Sequence, residues 1–212
     1  MADTDTGSGK IVPIQHRAFR TRAALLAATE DLVARQGIEA VTTTSVAAAA
    51  GCSVGTLYRY FADRDALLLA AYDATVRRIV ARCAAELAAL PADTPAPQAA
   101  RFLLGVYLEA AEAIPAHSGL LKAMRSIRPI KAEESGDPNH VVHDIVAPFL
   151  TRFARNRPAD PLRLHLLNVL LGTLVDLYLV TPDAAARARL RQDVEAHMLL
   201  ALERALEQGS GS

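Results

Sequence analysis

SVGTLYRYF, residues 53–61, decides how the rest of this chain is read. The chain has five Tyr and five Phe, and this stretch holds three of those ten around a single arginine. On a helix each residue advances by about 100°. Val54, Leu57, Tyr58 and Phe61 then share one face, and Gly55, Thr56, Arg59 and Tyr60 the other. Leu57 and Phe61, an i,i+4 pair, read as anchors that dock a short helix. The opposite face offers a guanidinium, a hydroxyl, a phenol and a glycine. Glycine inside a helix costs about 1 kcal/mol relative to alanine. Gly55 therefore reads as a place where a partner comes close to the backbone, as a phosphate or a base edge in a major groove does. Ser53 and the N–H groups at the helix start also suit a phosphate. From these nine residues alone a plainer reading stays open, with Tyr58 and Phe61 as core and Arg59 as a solvated charge.

The flanks narrow the choice. Upstream, Leu25, Leu26, Thr29, Leu32 and Val33 repeat with helical spacing over about 18–36, and Gly37 supplies a stop. Thr42 reads as the N-cap of a second helix, TTSVAAAA, which Gly51 ends. Ser53 caps a third helix over 54–61, and Asp63 a fourth that runs to about Leu90. Two short helices joined by a tight glycine turn are a helix-turn-helix arrangement.

Helix formers dominate the chain and β-branched runs are scarce, so an all-α fold of about nine helices is expected. Five of the nine lie beyond the break at PADTPAP (91–97), over roughly 98–114, 117–127, 139–156, 160–180 and 183–207. The organisation predicted is a disordered tail (1–15), a helix-turn-helix head (16–64), a helical body (65–207) and a flexible tail (208–212).

Hydrophobic residues at 51% and charged residues at 22% fit a globular chain and exclude wholesale disorder. The net charge is zero, but Lys10 to Arg64 carries seven Lys or Arg against four acids, a local excess of three. That bias is compatible with a phosphate surface. Cys52 and Cys83 form neither a disulfide framework nor a zinc motif, and no basic start leads into an apolar run, so a reducing, cytoplasmic setting is expected. The most apolar segment, 164–180, holds His165, Asn168 and Asp176 and reads as a buried helix rather than a membrane span. No metal is expected: His140, His143 and Asp144 lack a third strong ligand. No cofactor motif, nucleophile–base pair or phosphate loop points to catalysis.

Residues 20–68 resemble the DNA-binding domain of the TetR family of transcriptional regulators. The residues that carry the likeness are Gly37 to Thr42, VAAAAG (46–51), SVGTLYRYF (53–61) and ADRDAL (62–67). The resemblance implies a homodimeric repressor on a near-palindromic double-stranded DNA operator, released by a small-molecule effector. It implies that Ser53, Val54, Gly55 and Thr56 touch bases and phosphates. Tyr58, Arg59 and Tyr60 touch phosphates, Arg59 with guanine as a further choice, and Thr43 and Thr44 contact the backbone. Arg64 stands where lysine is commoner and keeps a phosphate-binding charge. Ala48 and Ala49 offer no functional group, so base reading rests on few side chains. A helical carrier or enzyme with a vestigial head, and an activator, remain the alternatives.

The resemblance fades near residue 70. Family members share a body plan with a ligand cavity and a dimer interface on the last two helices. Candidate pocket residues are Tyr72, Phe102, Tyr107, Leu121, Met124, Arg125, Phe149, Phe153, Asn168 and Asp176, each with a plain core reading beside it. Asp176 stands in an apolar run, and a buried acid needs a partner. Lys122, Arg125, Arg128 and Lys131 form a basic stripe that reads as a solvated face or as a cradle for an acidic ligand. The 160–180 helix is apolar nearly all round, which requires burial on both sides. Leu167, Leu170, Leu171, Leu174, Val194, Met198 and Leu202 are the candidate dimer interface, in a four-helix bundle across a two-fold axis.

Overall fold

Glycine and capping side chains punctuate the N-terminal part of the chain, as the computed structural model shows for residues 11–128, 141–153 and 161–207. Helix α1 (Ile11–Gln36) begins inside the stretch expected to be a tail. Pro13 does not prevent this, because it falls in the first turn, where a missing N–H is not needed. The helix stops at Gly37, whose φ of 82° is left-handed. Helix α2 (Thr43–Ala49) starts from a reciprocal cap. The Thr42 hydroxyl oxygen accepts from the Ser45 N–H at 3.0 Å, and the Ser45 Oγ accepts from the Thr42 N–H at 2.9 Å. A second left-handed glycine, Gly51 at φ 68°, turns the chain toward α3 (Val54–Tyr58).

Helix α1 packs on α2, and α2 on α3. Leu25, Val41, Val46, Leu57 and Leu67 lose all solvent contact, and Phe61 nearly all. Thr29 is buried with them, and its hydroxyl donates to the Leu25 carbonyl at 2.8 Å, so no polar group is left unmet there. Asp63 caps α4 (Arg64–Ala89) by accepting from the Ala66 N–H at 2.7 Å.

The chain divides into two compact units at Ala71–Tyr72, inside α4. The sequence reading placed the change after residue 64. Leu67, Leu68 and Ala71 are all buried, and they belong to the first unit.

The second unit contains α5 (Ala96–Glu112), α6 (His117–Ile127), α7 (Ala147–Phe153), α8 (Pro161–Val180) and α9 (Ala184–Glu207). Helix α8 packs against α9, α5 and α6, and α5 also packs against α9. One apolar cluster joins Ile79, Cys83, Val106, Leu108, Leu121, Val175 and Val194. Another joins Leu87, Leu103, Phe149, Leu150, Leu167, Met198 and Leu202. Where one helix was expected over 139–156, the described part is a π-helical turn (Val142–Val146) leading into α7. Pro148 supplies a reason. It has no N–H for the Asp144 carbonyl four residues back, and in a regular helix its ring would strike that carbonyl.

Arg152 on α7 closes the end of α4. Its guanidinium donates to the carbonyls of Leu87 at 2.7 Å, Leu90 at 2.8 Å and Pro91 at 2.6 Å. The last carbonyls of a helix lack intrahelical donors. Here the deficit is built in, because Pro91 has no N–H to offer Leu87. Arg152→Met should cost about 1 kcal/mol, the low end of the penalty for stranding acceptors, because water can reach carbonyls that are part-buried or exposed. Urea unfolding should show a lower midpoint for Arg152→Met and partial recovery in Arg152→Lys. An unchanged midpoint would remove the clamp from the account.

Candidate functional site

The outer surface of α2 and α3 carries the polar groups of the head. Thr44, Ser53, Gly55, Tyr58 and Arg59 are exposed, and Thr43, Val54, Thr56 and Tyr60 are half-buried. Ser53 caps α3, its Oγ accepting from the Thr56 N–H at 3.1 Å, and the two hydroxyls stand 2.9 Å apart. The helical wheel grouped Tyr58 with the anchors and Tyr60 with the outer face. The structure makes Tyr58 the more open ring, at 53% exposure. Helix α3 ends at Tyr58, so the wheel no longer applies beyond it. Gly55 is not demanded by crowding inside the head. An added Cβ would meet nothing nearer than Ser53 Oγ at 3.9 Å.

Arg64, expected at a phosphate, makes two hydrogen bonds within the head. Its Nε donates to the Val41 carbonyl at 2.6 Å and its Nη2 to the Ile38 carbonyl at 2.7 Å. The guanidinium thereby braces the connection between α1 and α2. Arg22 lies over the Phe61 ring at 5.5 Å, adding a cation–π contact to the α3 anchor.

In the body, Tyr72, Tyr107 and Met124 pack on the apolar cluster that contains Leu121. Phe149 and Phe153 belong to the other cluster, and Phe102 is on the surface at 42% exposure. Asn168 is half-buried. Asp176 does find an arginine, the Arg125 Nε donating to its Oδ2 at 2.7 Å across α6 and α8. Burial, and next the Asp176 charge, raise the Tyr107 phenol above its ordinary range, and burial pushes the Cys83 thiol up to about 12. Both stay protonated near neutral pH. Lys122 and Arg128 are exposed while Arg125 is turned onto Asp176, so the basic stripe is divided; Lys131 and His140 lie outside the described residues. Among the described residues no group of three or more His, Cys, Asp or Glu is placed to hold a metal, and no helix is long and apolar enough to cross a membrane.

One residue of this region escaped the sequence reading. His117, the first residue of α6, is 1% exposed. Its ring stacks on Tyr72, centroids 5.6 Å apart, and its Nδ1 lies 2.8 Å from Thr75 Oγ1. The Thr75 hydroxyl also sits 2.6 Å from the Tyr72 carbonyl, which can only accept. Thr75 therefore donates to that carbonyl and accepts from Nδ1–H, which leaves Nε2 as a bare acceptor. Nε2 is buried and has no partner among the described residues. A signal did exist: His117, Leu120, Leu121 and Met124 share one stripe at helical spacing.

The expected dimer residues separate. Leu167, Val194, Met198 and Leu202 are buried in the chain's own core, Leu171 and Leu174 pack against it, and Leu170 is exposed. Helix α8 presents Leu162, Leu166, Leu170 and Leu177 on its outer side, at 64%, 58%, 44% and 48% exposure. With Thr173 they step by four, four, three and four residues, a continuous outward stripe.

Residues 25–71 match the family model described as bacterial regulatory proteins, tetR family. Solved structures show the same fold over nearly the whole chain. A TetR-family transcriptional regulator from Streptomyces coelicolor aligns at TM-score 0.60 and 18% identity, over 88% of this chain and 99% of its own. The TetR family repressor AlkX from Dietzia aligns at TM-score 0.60 and 18% identity, over 86% and 95%. RolR in complex with resorcinol aligns at TM-score 0.55 and 20% identity, over 93% and 97%. No curated protein gave a significant match.

Burial, and next the charge of Arg78, hold the His117 imidazole down at about 4, against 6.5 for a free side chain. Between those values the unfolded chain binds more protons than the folded one. Stability is thus complete above about pH 6.5 and is lost as pH falls toward 4, by about 3 kcal/mol in all. Urea unfolding across that range should show the loss, and His117→Phe should flatten the profile relative to the parent. Parallel profiles would mean that the imidazole titrates normally.

Proposed function

We propose that this chain, a TetR-like DNA-binding regulator by its head and its fold, is a homodimeric repressor that a small-molecule effector releases from a palindromic operator. One observation carries the DNA contact: the polar face of α2 and α3 stands open while their apolar side chains are buried. Helix α3 would enter the major groove. Ser53, Val54, Gly55 and Thr56 would meet bases and phosphates, and Tyr58, Arg59 and Tyr60 phosphates. Arg59 is the side chain with the reach and geometry for guanine. Thr43 and Thr44 would hold the backbone. Arg64 would act as a strut for the head. AlkX, of similar fold, is described as a repressor, and RolR is described with a bound small molecule, resorcinol. Those descriptions support the repressor and effector parts of the reading.

The second copy would cover the Leu162–Leu177 stripe of α8, where nothing fills the space around Gly172 and helices can approach closely. Effector binding in the body would favour one of two states of the dimer, and the state it favours would fit the two half-sites poorly. Helix α4 contributes residues to both units and is the natural link between them.

Fluorescence anisotropy on the DNA upstream of the chain's own gene, with random duplex as control, tests the head. Arg59→Ala with Tyr58→Phe should weaken binding by roughly tenfold to a hundredfold and lower the salt slope, with the fold unchanged by circular dichroism. Equal affinity of the parent for both duplexes would sink the operator reading. Sedimentation tests the interface: Leu166→Glu with Leu170→Glu should convert a dimer to a monomer. A double variant that remains dimeric would place the interface elsewhere.

A further inference from the structure

His117 Nε2 is the one buried side-chain nitrogen or oxygen without a hydrogen-bond partner among the described residues. The ring is packed among mainly apolar side chains, with the Arg78 charge acting on it. Tyr72 stacks on the ring and packs on the cluster of Ile79, Cys83 and Leu121, and Leu120 and Leu121 are wholly buried on the next turn. The Thr75 hydroxyl fixes the tautomer from the other nitrogen. We infer that Nε2 is the polar anchor of the effector site, and that the effector is an uncharged, largely apolar molecule whose hydroxyl donates to it. This rests on the effector-release reading above and adds the chemistry of the ligand.

Three features select that class. A bare imidazole nitrogen requires a donor, which ethers, ketones and esters lack. A cationic donor would have to bury its charge in the setting that already keeps the imidazole neutral. A buried water is a poor occupant, since it needs two to four polar partners and, among the described residues, Nε2 is the one buried side-chain nitrogen or oxygen left unpartnered. Nε2 is sealed from solvent, so a ligand reaches it only in an opened state of the body. The unmet acceptor favours that state as soon as a donor is supplied, which is the differential affinity a population shift requires.

The test uses the full chain labelled with nitrogen-15 in its histidines. The His117 signal is assigned by its loss in His117→Phe and, should that variant fold poorly, in His117→Gln. Phenol, benzyl alcohol and 2-naphthol are titrated, each beside its methyl ether. At least one alcohol should move the Nε2 resonance toward a hydrogen-bonded value and bind about tenfold tighter than its ether, the worth of one hydrogen bond to a buried acceptor. The inference is overturned if no pair discriminates. It is also overturned if the free protein already shows a hydrogen-bonded Nε2, the mark of a resident water, or a proton on Nε2. An alcohol that binds at Nε2 without releasing operator DNA supports the anchor and removes the effector-release reading.

Discussion

A helix of five residues does not hold itself together in water, because nucleation costs more than so few hydrogen bonds return. That constraint governs the head. Helix α3 persists because Ser53 fixes its first turn and Leu57 and Phe61 are sunk into the core beneath it. The floor it rests on is fixed in turn by the Thr42–Ser45 cap, the two left-handed glycines and the Arg64 fork on Ile38 and Val41. The inward duties fall to buried apolar side chains, to the caps and to the Arg64 fork. Thr44, Ser53, Tyr58 and Arg59 are left facing solvent, on a rigid support that a flexible loop would not provide.

The body meets a different constraint. Helix α8 is apolar on too much of its circumference for one neighbour layer to cover. Packing with α5, α6 and α9 buries Leu167, Val175, Tyr178 and Leu179, and the remaining leucines stay outside. Polar groups inside the body then have to be matched one by one. Arg125 meets Asp176, Tyr178 donates to Glu112 at 2.7 Å with Arg187 beside them at 3.5 Å, and Arg152 meets the end of α4. Each match ties two helices together, so side-chain hydrogen bonds set the register between helices that apolar packing alone leaves loose.

The head was legible in the sequence because its signals are local. Caps lie within three residues of the helices they start, and a left-handed glycine announces a stop wherever it falls. Helix boundaries in the body were readable for the same reason, and α6 spans the residues expected of it. What the sequence did not reveal depends on which face of a helix meets which neighbour. Val194 and Leu170 look alike as apolar periodic residues, yet one is in the core and the other on the surface. Arg64 was read only as a phosphate-binding charge, and nothing local shows that the α1–α2 connection brings two carbonyls to it. Pro148 marked a break in the 139–156 helix, but the pattern of apolar residues ran straight across it.

His117 shows the limit most clearly. Its stripe on α6 was visible, and a histidine among leucines is more often a satisfied core residue than a site. The distinction turns on Thr75, more than forty residues away, whose hydroxyl satisfies one ring nitrogen and thereby defines the other as an acceptor. No sequence pattern links those two positions. The other buried polar groups described in the body are matched within the protein, so a ligand would disturb them at a cost. At Nε2 a donor would repair a deficit that is already present. Of the buried side-chain polar atoms described in the second unit, this is the one at which ligand binding and protein stability would act in the same direction.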